Sequence, residues 1–403
     1  MKRQPCESIV SPGARQRARC PLKVALIDSA PGGHHAPYAL ELAHGLRDAG
    51  HHPCVVGPAS WCDALGNVAE AIVVDPGRLD ASSPSQRRLH RHRFLRRALD
   101  ACVESRADVA HVLYLDGSIA ALSQSGRDRG LAVVATLHWT PFLGLSPRRP
   151  KQALKGALAL AALWRLDRAG VNLVVHSRDA QARLARFGLS HVHAVDYPSA
   201  VAEVAVNVEA RACERARLGV DDGVKVLLCF GGTRYDKGVD LAIAALADAD
   251  PDVRLLIAGA EQDFDRSALL ALAARFAVED RLLLRLGHVA DSDVVRLFSA
   301  VDAVLLPYRG LFSGQSGPMV TAGSLGVPII ASDAAILAET VTRFDIGRVF
   351  RADDRKALAA AMRGDLPRVD ASAHRRFAAA SSPRHFAARN LAVYESARAA
   401  RVS

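Results

Sequence analysis

The stretch PYRGLFSGQSGPMVTAGSLGVPIIASD, residues 307–333, constrains the fold of this chain more than any other. The apolar run before it, at 301–306, predicts a buried strand that ends at Pro307. Small residues at 313–317 then open a predicted helix, and 326–328 leads into a second apolar strand at 329–331. A glycine-rich turn from strand to helix leaves backbone N–H groups unpaired and aimed at one point. Such a turn suits an anion such as a phosphate.

A second turn of this kind lies upstream, at FGGTRYDKG, residues 230–238. It follows an apolar run at 225–230 and precedes another helical pattern. Parallel strands place such turns at one edge of a sheet. Two of them therefore predict a nucleotide site.

The order of the chain is strand, helix, strand, repeated twice with a break at about 197–222. We predict a basic N-terminal arm at 1–20, a Rossmann-like domain at 21–205 and a second one at 206–380. A last helix at 381–403 has one apolar face, from Phe386, Leu391 and Tyr394, and should pack back on the first domain. Two open α/β domains in tandem place a ligand in the cleft between them.

The composition excludes several classes of protein. Seven cysteines without a C-x-x-C pair argue against a disulfide framework or a structural zinc site, and fit a reducing cytoplasm. No apolar run approaches the length of a membrane span, and the first twenty residues lack the apolar core of a signal peptide. We therefore expect a cytoplasmic protein.

The positive charge is concentrated in the first half. Residues 1–205 carry 26 Lys and Arg against 17 Asp and Glu, and residues 206–403 carry 26 against 25. An anionic partner for the first half is therefore expected. No aromatic platform or known module supports nucleic acid in that role.

Four segments in the second half carry a resemblance: FGGTRYDKGVDLAIAAL, LLIAGAEQD, LGHVADSDVVRLFSAVDAVLLPY and SGQSGPMVTAGSLGVPIIASD. This half resembles the nucleotide-binding domain of family-4 glycosyltransferases with the GT-B fold. PGGHHAPY, ATLHWT and VVHSRDAQARLARFG support the resemblance in the first half. It implies two Rossmann-like domains facing each other across a cleft. It also implies a metal-independent, cofactor-free enzyme that moves a sugar from a nucleotide-diphosphate donor, usually with retention, to a saccharide or lipid-linked acceptor in polysaccharide or glycoconjugate biosynthesis.

The chain departs from the usual family pattern at three positions. Ser313 and Thr321 stand where the family has two glutamates, and Gly232 stands where it has an arginine. The chain is similar to a subset with an R-x-x-K-G turn, here Arg234 and Lys237, and a Q-S-G loop at 315–317.

The resemblance and the two turns together predict the site. The predicted catalytic residues are Arg234, Lys237 and His138, because fixed positive charge stabilises a leaving diphosphate. The predicted donor-binding residues are Gly32, Gly33, Gly231, Gly232, Ser313, Gly314, Gln315, Ser316, Gly317, Thr321 and Glu339. On the acceptor side we place His34 and His35. For each, a purely structural reading stays open: a turn glycine, a packed helix threonine, an exposed glutamate or a satisfied histidine at a strand end.

Two D-x-D strings, at 263–265 and 291–293, fall at predicted helix starts, where aspartate is favoured as a cap. We therefore predict no metal site.

The segment Arg87 to Arg97 holds six arginines and two histidines beside an apolar stripe. Such a helix can lie on an anionic membrane surface, with further charge from Lys151, Lys155, Arg165 and Arg168. The alternative is a core-packed helix with a solvated basic side.

Two other functions stay open. One is a non-catalytic sugar-nucleotide-binding scaffold protein of a polysaccharide-assembly complex, since fold alone does not guarantee activity. The other is a nucleotide-sugar epimerase on a similar fold.

Overall fold

The structure is a computed structural model of the chain, and it describes residues 20–30, 32, 35–77, 83–125, 130–140, 150–199, 201, 208–221 and 223–402. The first half is built on a parallel sheet of seven strands in the order β3-β2-β1-β4-β5-β6-β7. The strands are β1 (Lys23–Ile27), β2 (His52–Gly57), β3 (Glu70–Val73), β4 (Val109–Val112), β5 (Ala132–Leu137), β6 (Asn172–Val175) and β7 (Val192–Ala194).

Helices cover both faces of this sheet. β1 shows why its sequence reads as one apolar run: Ala25 and Ile27 face one core, and Val24 and Leu26 face the other. The helices are α1 (His35–Asp48), α2 (Ala59–Leu65), α3 (Pro84–Glu104), α4 (Ile119–Ser125), α5 (Pro150–Arg168) and α6 (Arg178–Arg186).

The second half repeats the plan on a parallel sheet in the order β10-β9-β8-β11-β12-β13. Its strands are β8 (Lys225–Phe230), β9 (Val253–Gly259), β10 (Leu282–Leu286), β11 (Ala303–Leu306), β12 (Ile329–Ser332) and β13 (Gly347–Phe350). Its helices are α7 (Val208–Leu218), α8 (Val239–Leu246), α9 (Arg266–Arg275), α10 (Asp291–Ala300), α11 (Gly317–Ser324), α12 (Ala335–Phe344), α13 (Arg355–Ala361) and α14 (Ala371–Ser381). The predicted fold class, two Rossmann-like units of the GT-B type, is confirmed.

The last helix, α15 (Pro383–Val402), returns to the first half. Phe386, Leu391 and Tyr394 lie in the same buried cluster as the apolar side of α1. The Tyr394 hydroxyl is 2.7 Å from Nδ1 of His111 in β4, and the other ring nitrogen of His111 is 2.7 Å from the Thr136 hydroxyl. Burial lowers the pKa of His111 to about 3, so its ring is neutral.

The structure corrects one detail of the predicted helix starts. Asp265 caps α9 as predicted, but α10 begins at Asp291 itself, with Ala290 at the cap position and no side-chain cap. The basic arm, except Cys20, lies outside the described residues, as do Gly33 and His34. Within the described ranges, no helix is both long and apolar enough to cross a bilayer.

Candidate functional site

The two sheets reverse their strand order at equivalent places. In the first sheet β1 lies between β2 and β4, and in the second β8 lies between β9 and β11. Open parallel sheets bind ligands at the carboxyl ends of the strands at such a point. Lys237 follows β8, and Asp28 and His138 follow β1 and β5. The candidate site is therefore built from strand ends.

The Lys237 side chain fills the end of β8. Its Nζ donates to the Phe230 carbonyl at 3.4 Å, and a Cβ at Gly231, where φ is +100°, would lie 2.5 Å from it. Glycine at this position thus lets the ammonium approach the backbone. The same residues line a small pocket with Tyr308 and Pro307. Burial, and then the neighbouring Arg234, lower the pKa of Lys237 to about 8.

Arg234 is held by its own turn. Its guanidinium donates two hydrogen bonds to the carboxylate of Asp236, at 2.8 and 2.6 Å. This hydrogen-bonded pair raises the pKa of Arg234. Asp236 is thus occupied by Arg234, and no carboxylate of the described residues forms an ion pair with the Lys237 ammonium. The Lys237 ammonium therefore lies at the pocket without a salt bridge to the described residues.

Arg309, just after β11, fastens the turn to the second sheet. Its side chain donates to the Tyr235 carbonyl at 3.0 Å and pairs with Asp240 and Asp353, while its backbone N–H donates to the Asp236 carbonyl at 2.9 Å. Sequence reasoning missed this residue, whose only signal is its place after a strand. It acts on the site through the turn that it holds.

The turn at 230–238, called the first turn from here on, offers fewer free N–H groups than expected. The N–H groups of Gly231 and Thr233 donate to carbonyls at the end of β9 and just beyond it, and that of Tyr235 donates to the carboxylate of Asp263. Of the two predicted glycines, only the Gly232 N–H donates to no atom of the described residues. The charge here comes from side chains more than from the backbone.

The turn at 313–317, called the second turn from here on, agrees better with the expectation of free N–H groups. Within the described residues, none of the N–H groups at 313–317 donates a hydrogen bond. The Ser316 side chain is buried as the N-cap of α11, where its hydroxyl accepts the Met319 N–H at 3.3 Å and lies 3.2 Å from the Tyr308 hydroxyl. Ser316 can therefore contribute its backbone N–H, while its hydroxyl is engaged.

Two other predicted residues lie near this turn. Thr321 lies half-buried in α11. The carbonyl oxygen of the Gln315 side chain is buried without a hydrogen-bond partner in the described part of the chain.

His138 lies under an aromatic stack. Its Nε2 donates to the Leu113 carbonyl at 2.9 Å, and its ring stacks on Tyr114, centroids 3.8 Å apart, which in turn stacks on His35 at 3.6 Å. Burial and the neighbouring His176 hold the pKa of His138 well below its ordinary value. The ring is therefore neutral and one nitrogen is already bonded, which favours a positioning role over proton donation.

His35, at the start of α1, keeps a partly exposed ring. Its Nδ1 is 2.7 Å from the carboxylate of Asp28, which also accepts the N–H groups of Ser29 and Ala30. Gly32 is exposed and a Cβ there would meet no atom within 4 Å, so nothing in the described structure requires glycine at this place.

Asp116 fixes the end of β5. Its two carboxylate oxygens accept the N–H groups of His138, at 3.3 Å, and Trp139, at 2.6 Å. Burial raises the pKa of Asp116 to about 6, although these hydrogen bonds oppose the rise. Asp116 and Trp139 were both missed from the sequence.

Glu339 joins the two halves. It was predicted to bind the donor, but its carboxylate accepts hydrogen bonds from Ser177 Oγ at 2.6 Å and from the N–H groups of Arg178 and Asp179 at 2.8 and 3.1 Å. One turn further along α12, Arg343 pairs with Asp196. The α12 face between these contacts lines an interdomain pocket of about 320 Å³ with Gln315, His176 and Tyr197. Glu339 thus caps α6, and its contact with a donor stays a prediction.

No group of three or more His, Cys, Asp or Glu side chains in the described ranges is arranged to hold a metal ion. The absence of a cofactor stays a prediction.

Comparisons with known proteins agree with this architecture. Residues 35–196 match the family model described as Glycosyltransferase Family 4, and residues 224–365 match the model described as Glycosyl transferases group 1. Between them the two matches span most of both sheets. Each half of the chain is therefore similar to a glycosyltransferase domain.

Two curated relatives are similar over different lengths. The lipopolysaccharide core biosynthesis mannosyltransferase LpsB of Rhizobium meliloti is 32% identical over 194 residues, 45% of this chain and 52% of the relative. The phosphatidyl-myo-inositol mannosyltransferase of Mycolicibacterium smegmatis is 28% identical over 83% of this chain and 81% of the relative. The chain thus matches about half the length of the first relative.

Solved structures share the fold. A sucrose-phosphate synthase from Thermosynechococcus elongatus superimposes with a TM-score of 0.74 at 18% identity, over 94% of this chain and 100% of the other. The HepE protein of Anabaena, solved in complex with UDP, gives 0.70 at 17% identity over 93% and 100%.

Proposed function

We propose that this chain transfers a hexosyl group from a nucleotide-diphosphate sugar to a saccharide or lipid-linked acceptor, with retention at the anomeric carbon. The observation that carries the proposal is the half-buried ammonium of Lys237, which lacks a carboxylate partner in the described structure and lines a pocket at the carboxyl end of β8. Removing a charge from water costs free energy unless the charge is paired, so a ligand would supply the missing partner. A diphosphate provides it.

The chemistry follows from the charge at the two turns. Cleavage of the bond between the sugar and the diphosphate places negative charge on the leaving oxygens. Lys237, Arg234 and the free N–H groups at 313–317 are positioned to stabilise that charge, and one such preorganised donor contributes about 3–4 kcal/mol. Arg234 can reach a phosphate by exchanging one of its two hydrogen bonds to Asp236.

The acceptor belongs to the opposite wall. His35 presents a partly exposed ring there, and Asp28 orients it. His138 is a positioning residue in this proposal, since its buried neutral ring holds Tyr114 and the cleft wall in place. The relatives support hexosyl chemistry, because two of them are mannosyltransferases and the HepE structure contains UDP. Retention and the absence of a metal rest on the family resemblance.

Peripheral contact with an anionic membrane is a second part of the proposal, and we place it on α5 as well as on α3. In α3 most of the apolar stripe is buried: Leu95, Leu99 and Cys102 lie in the core, and Leu89 is exposed. In α5, by contrast, Leu154, Leu158 and Trp164 are exposed. Basic side chains flank this face at Lys155, Arg165 and Arg168. α3 and α5 lie on either side of α4 over one face of the sheet. We propose that α5 meets the lipid while α3 supplies charge.

Co-sedimentation with vesicles tests the membrane contact. Binding to vesicles containing phosphatidylglycerol, weakened by salt and by Leu158→Glu, is expected. Failure to bind at low salt would exclude the contact.

The donor site is tested by thermal unfolding in the presence of UDP, GDP, ADP and TDP and their sugars. A ligand at a hundred times its dissociation constant stabilises a protein by about 2.7 kcal/mol. A selective response to one base is expected. No response to any nucleotide would contradict the proposal.

The scaffold alternative has one observation in its favour, because Ser313 and Thr321 replace the two family glutamates. A scaffold would bind the donor without consuming it. Measurement of free nucleoside diphosphate released from the bound donor, with and without lipid-linked acceptor extracts, separates the two.

A further inference from the structure

Trp139 reaches from the first half of the chain into the second turn of the other half. Its backbone N–H donates to Asp116 at 2.6 Å, and the next N–H, of Thr140, donates to the Ser313 carbonyl at 3.4 Å. Its ring lies so close to Gly314 that a Cβ there would come within 2.8 to 2.9 Å of three ring atoms. Glycine at 314 therefore serves close approach of an aromatic ring.

The same ring lies beside the first turn. The guanidinium carbon of Arg234 is 5.6 Å from the Trp139 ring centroid, within the range of a cation–π contact. Phe312 packs edge-on at 5.7 Å. One aromatic ring thus lies beside both anion-binding turns.

The ring is not consumed by these contacts, since 36% of Trp139 is exposed. A large aromatic surface left open beside a charged pocket is a binding surface more than a packing element. In a nucleotide sugar the glycosyl ring is bonded directly to the diphosphate. A diphosphate held by Arg234 and Lys237 therefore brings that ring close to Trp139.

We propose that Trp139 is the stacking surface for the glycosyl ring of the donor, and that Gly314 is glycine because this ring must lie against the backbone of the second turn. The inference rests on the proposed donor site and names a specificity-determining residue within it. Asp116 acts as a positioning residue, because its carboxylate fixes the backbone from which the ring projects.

A binding measurement tests the role of Trp139, because the sugar should depend on this ring and the bare nucleotide should not. The probes for calorimetry are UDP, GDP, UDP-glucose, UDP-galactose and GDP-mannose. For the base that binds, we compare the affinity of the nucleotide sugar with the affinity of the bare nucleotide. Trp139→Ala is expected to weaken the nucleotide sugar about tenfold while leaving the bare nucleotide within about twofold. Trp139→Phe keeps an aromatic face and retains most of the ratio of these two affinities.

Gly314→Ala is the second variant, because it displaces the ring without removing it. It should reproduce the loss seen in Trp139→Ala. Trp164→Ala, which removes the exposed tryptophan of α5, is the matched control and should behave as wild type.

The outcomes are distinct. Equal loss for nucleotide and nucleotide sugar in Trp139→Ala, or no loss for either, would overturn the role of Trp139 and leave the donor site intact. A wild-type protein that binds none of the five probes would remove the donor site and the inference with it.

Discussion

Glu339 accepts a 2.6 Å hydrogen bond from the hydroxyl of Ser177, although 162 residues separate them. Ser177 is the N-cap of α6, and its hydroxyl also accepts the N–H of Ala180. The carboxylate therefore lies at the positive end of an α6 helix that belongs to the other half of the molecule. Domain opening must break this contact or rotate about it.

Glu339→Ala should destabilise the joint between the halves. It removes the acceptor of the Ser177 hydroxyl and of two backbone N–H groups that water can reach, at a cost of about 0.5–1.5 kcal/mol. Calorimetric unfolding measures this loss of stability. We expect the unfolding transition of the variant to broaden or to split in two. Glu279→Ala, at an exposed glutamate before β10, is the control. Equal stability of the two variants would contradict the role of the contact.

Lys237→Ala should abolish nucleotide stabilisation and lower turnover by about a hundredfold, as expected for the loss of one preorganised donor. The matched control is Lys225→Ala, at the opposite end of the same strand, where the ammonium pairs with Asp252 and Asp250 at the surface. That change should cost at most about 1 kcal/mol of stability and leave nucleotide binding unchanged. A Lys237 variant with full activity would remove this residue from the mechanism.

Nucleotide affinity should depend on pH through Lys237. Its pKa is lowered to about 8, so the ammonium is charged below that pH and neutral above it. Affinity is expected to be level below about pH 8 and to fall by up to about tenfold per unit above it. Lys237→Arg, whose side chain stays charged, should lose this alkaline limb even where its affinity is lower. Nucleotide affinity measured from pH 7 to 10 for the wild type and for this variant tests the prediction. A wild-type affinity that does not change over this range would contradict it.

Tyr394→Phe should weaken the attachment of α15. It removes the partner of His111 Nδ1 inside the core, which costs about 1–3 kcal/mol. Urea unfolding measures the change, with Tyr235→Phe, at an exposed position, as the control. A Tyr394 variant as stable as that control would show that the hydrogen bond contributes nothing.

Much of the fold could be predicted from the sequence, because buried parallel strands appear as short apolar runs. The runs at 225–230 and 329–331 correspond closely to β8 and β12. The apolar face of α15 was also legible, through Phe386, Leu391 and Tyr394. Turn composition likewise placed Lys237 and the loop at 313–317 at strand ends.

The rest depends on contacts between distant parts of the chain. The sequence shows the glycines of the first turn but not that two of its N–H groups donate to the end of β9 and beyond. Gly314 looks like any loop glycine until Trp139 is seen against it. Glu339 reads as an exposed helix residue because its partners lie in α6. No local pattern encodes these pairings.

The return of α15 to the first half bears on the order in which the molecule can be made. The cluster that includes Tyr38 of α1 and Trp61 of α2 also contains Phe386 and Tyr394 of α15, so part of this apolar cluster stays exposed while the second half is synthesised. When the ribosome has completed the first half, α15, which packs on that half, has not yet been synthesised. The core of the first half is therefore completed by the last segment of the chain, and a fragment ending before residue 383 would expose the apolar side chains that α15 covers.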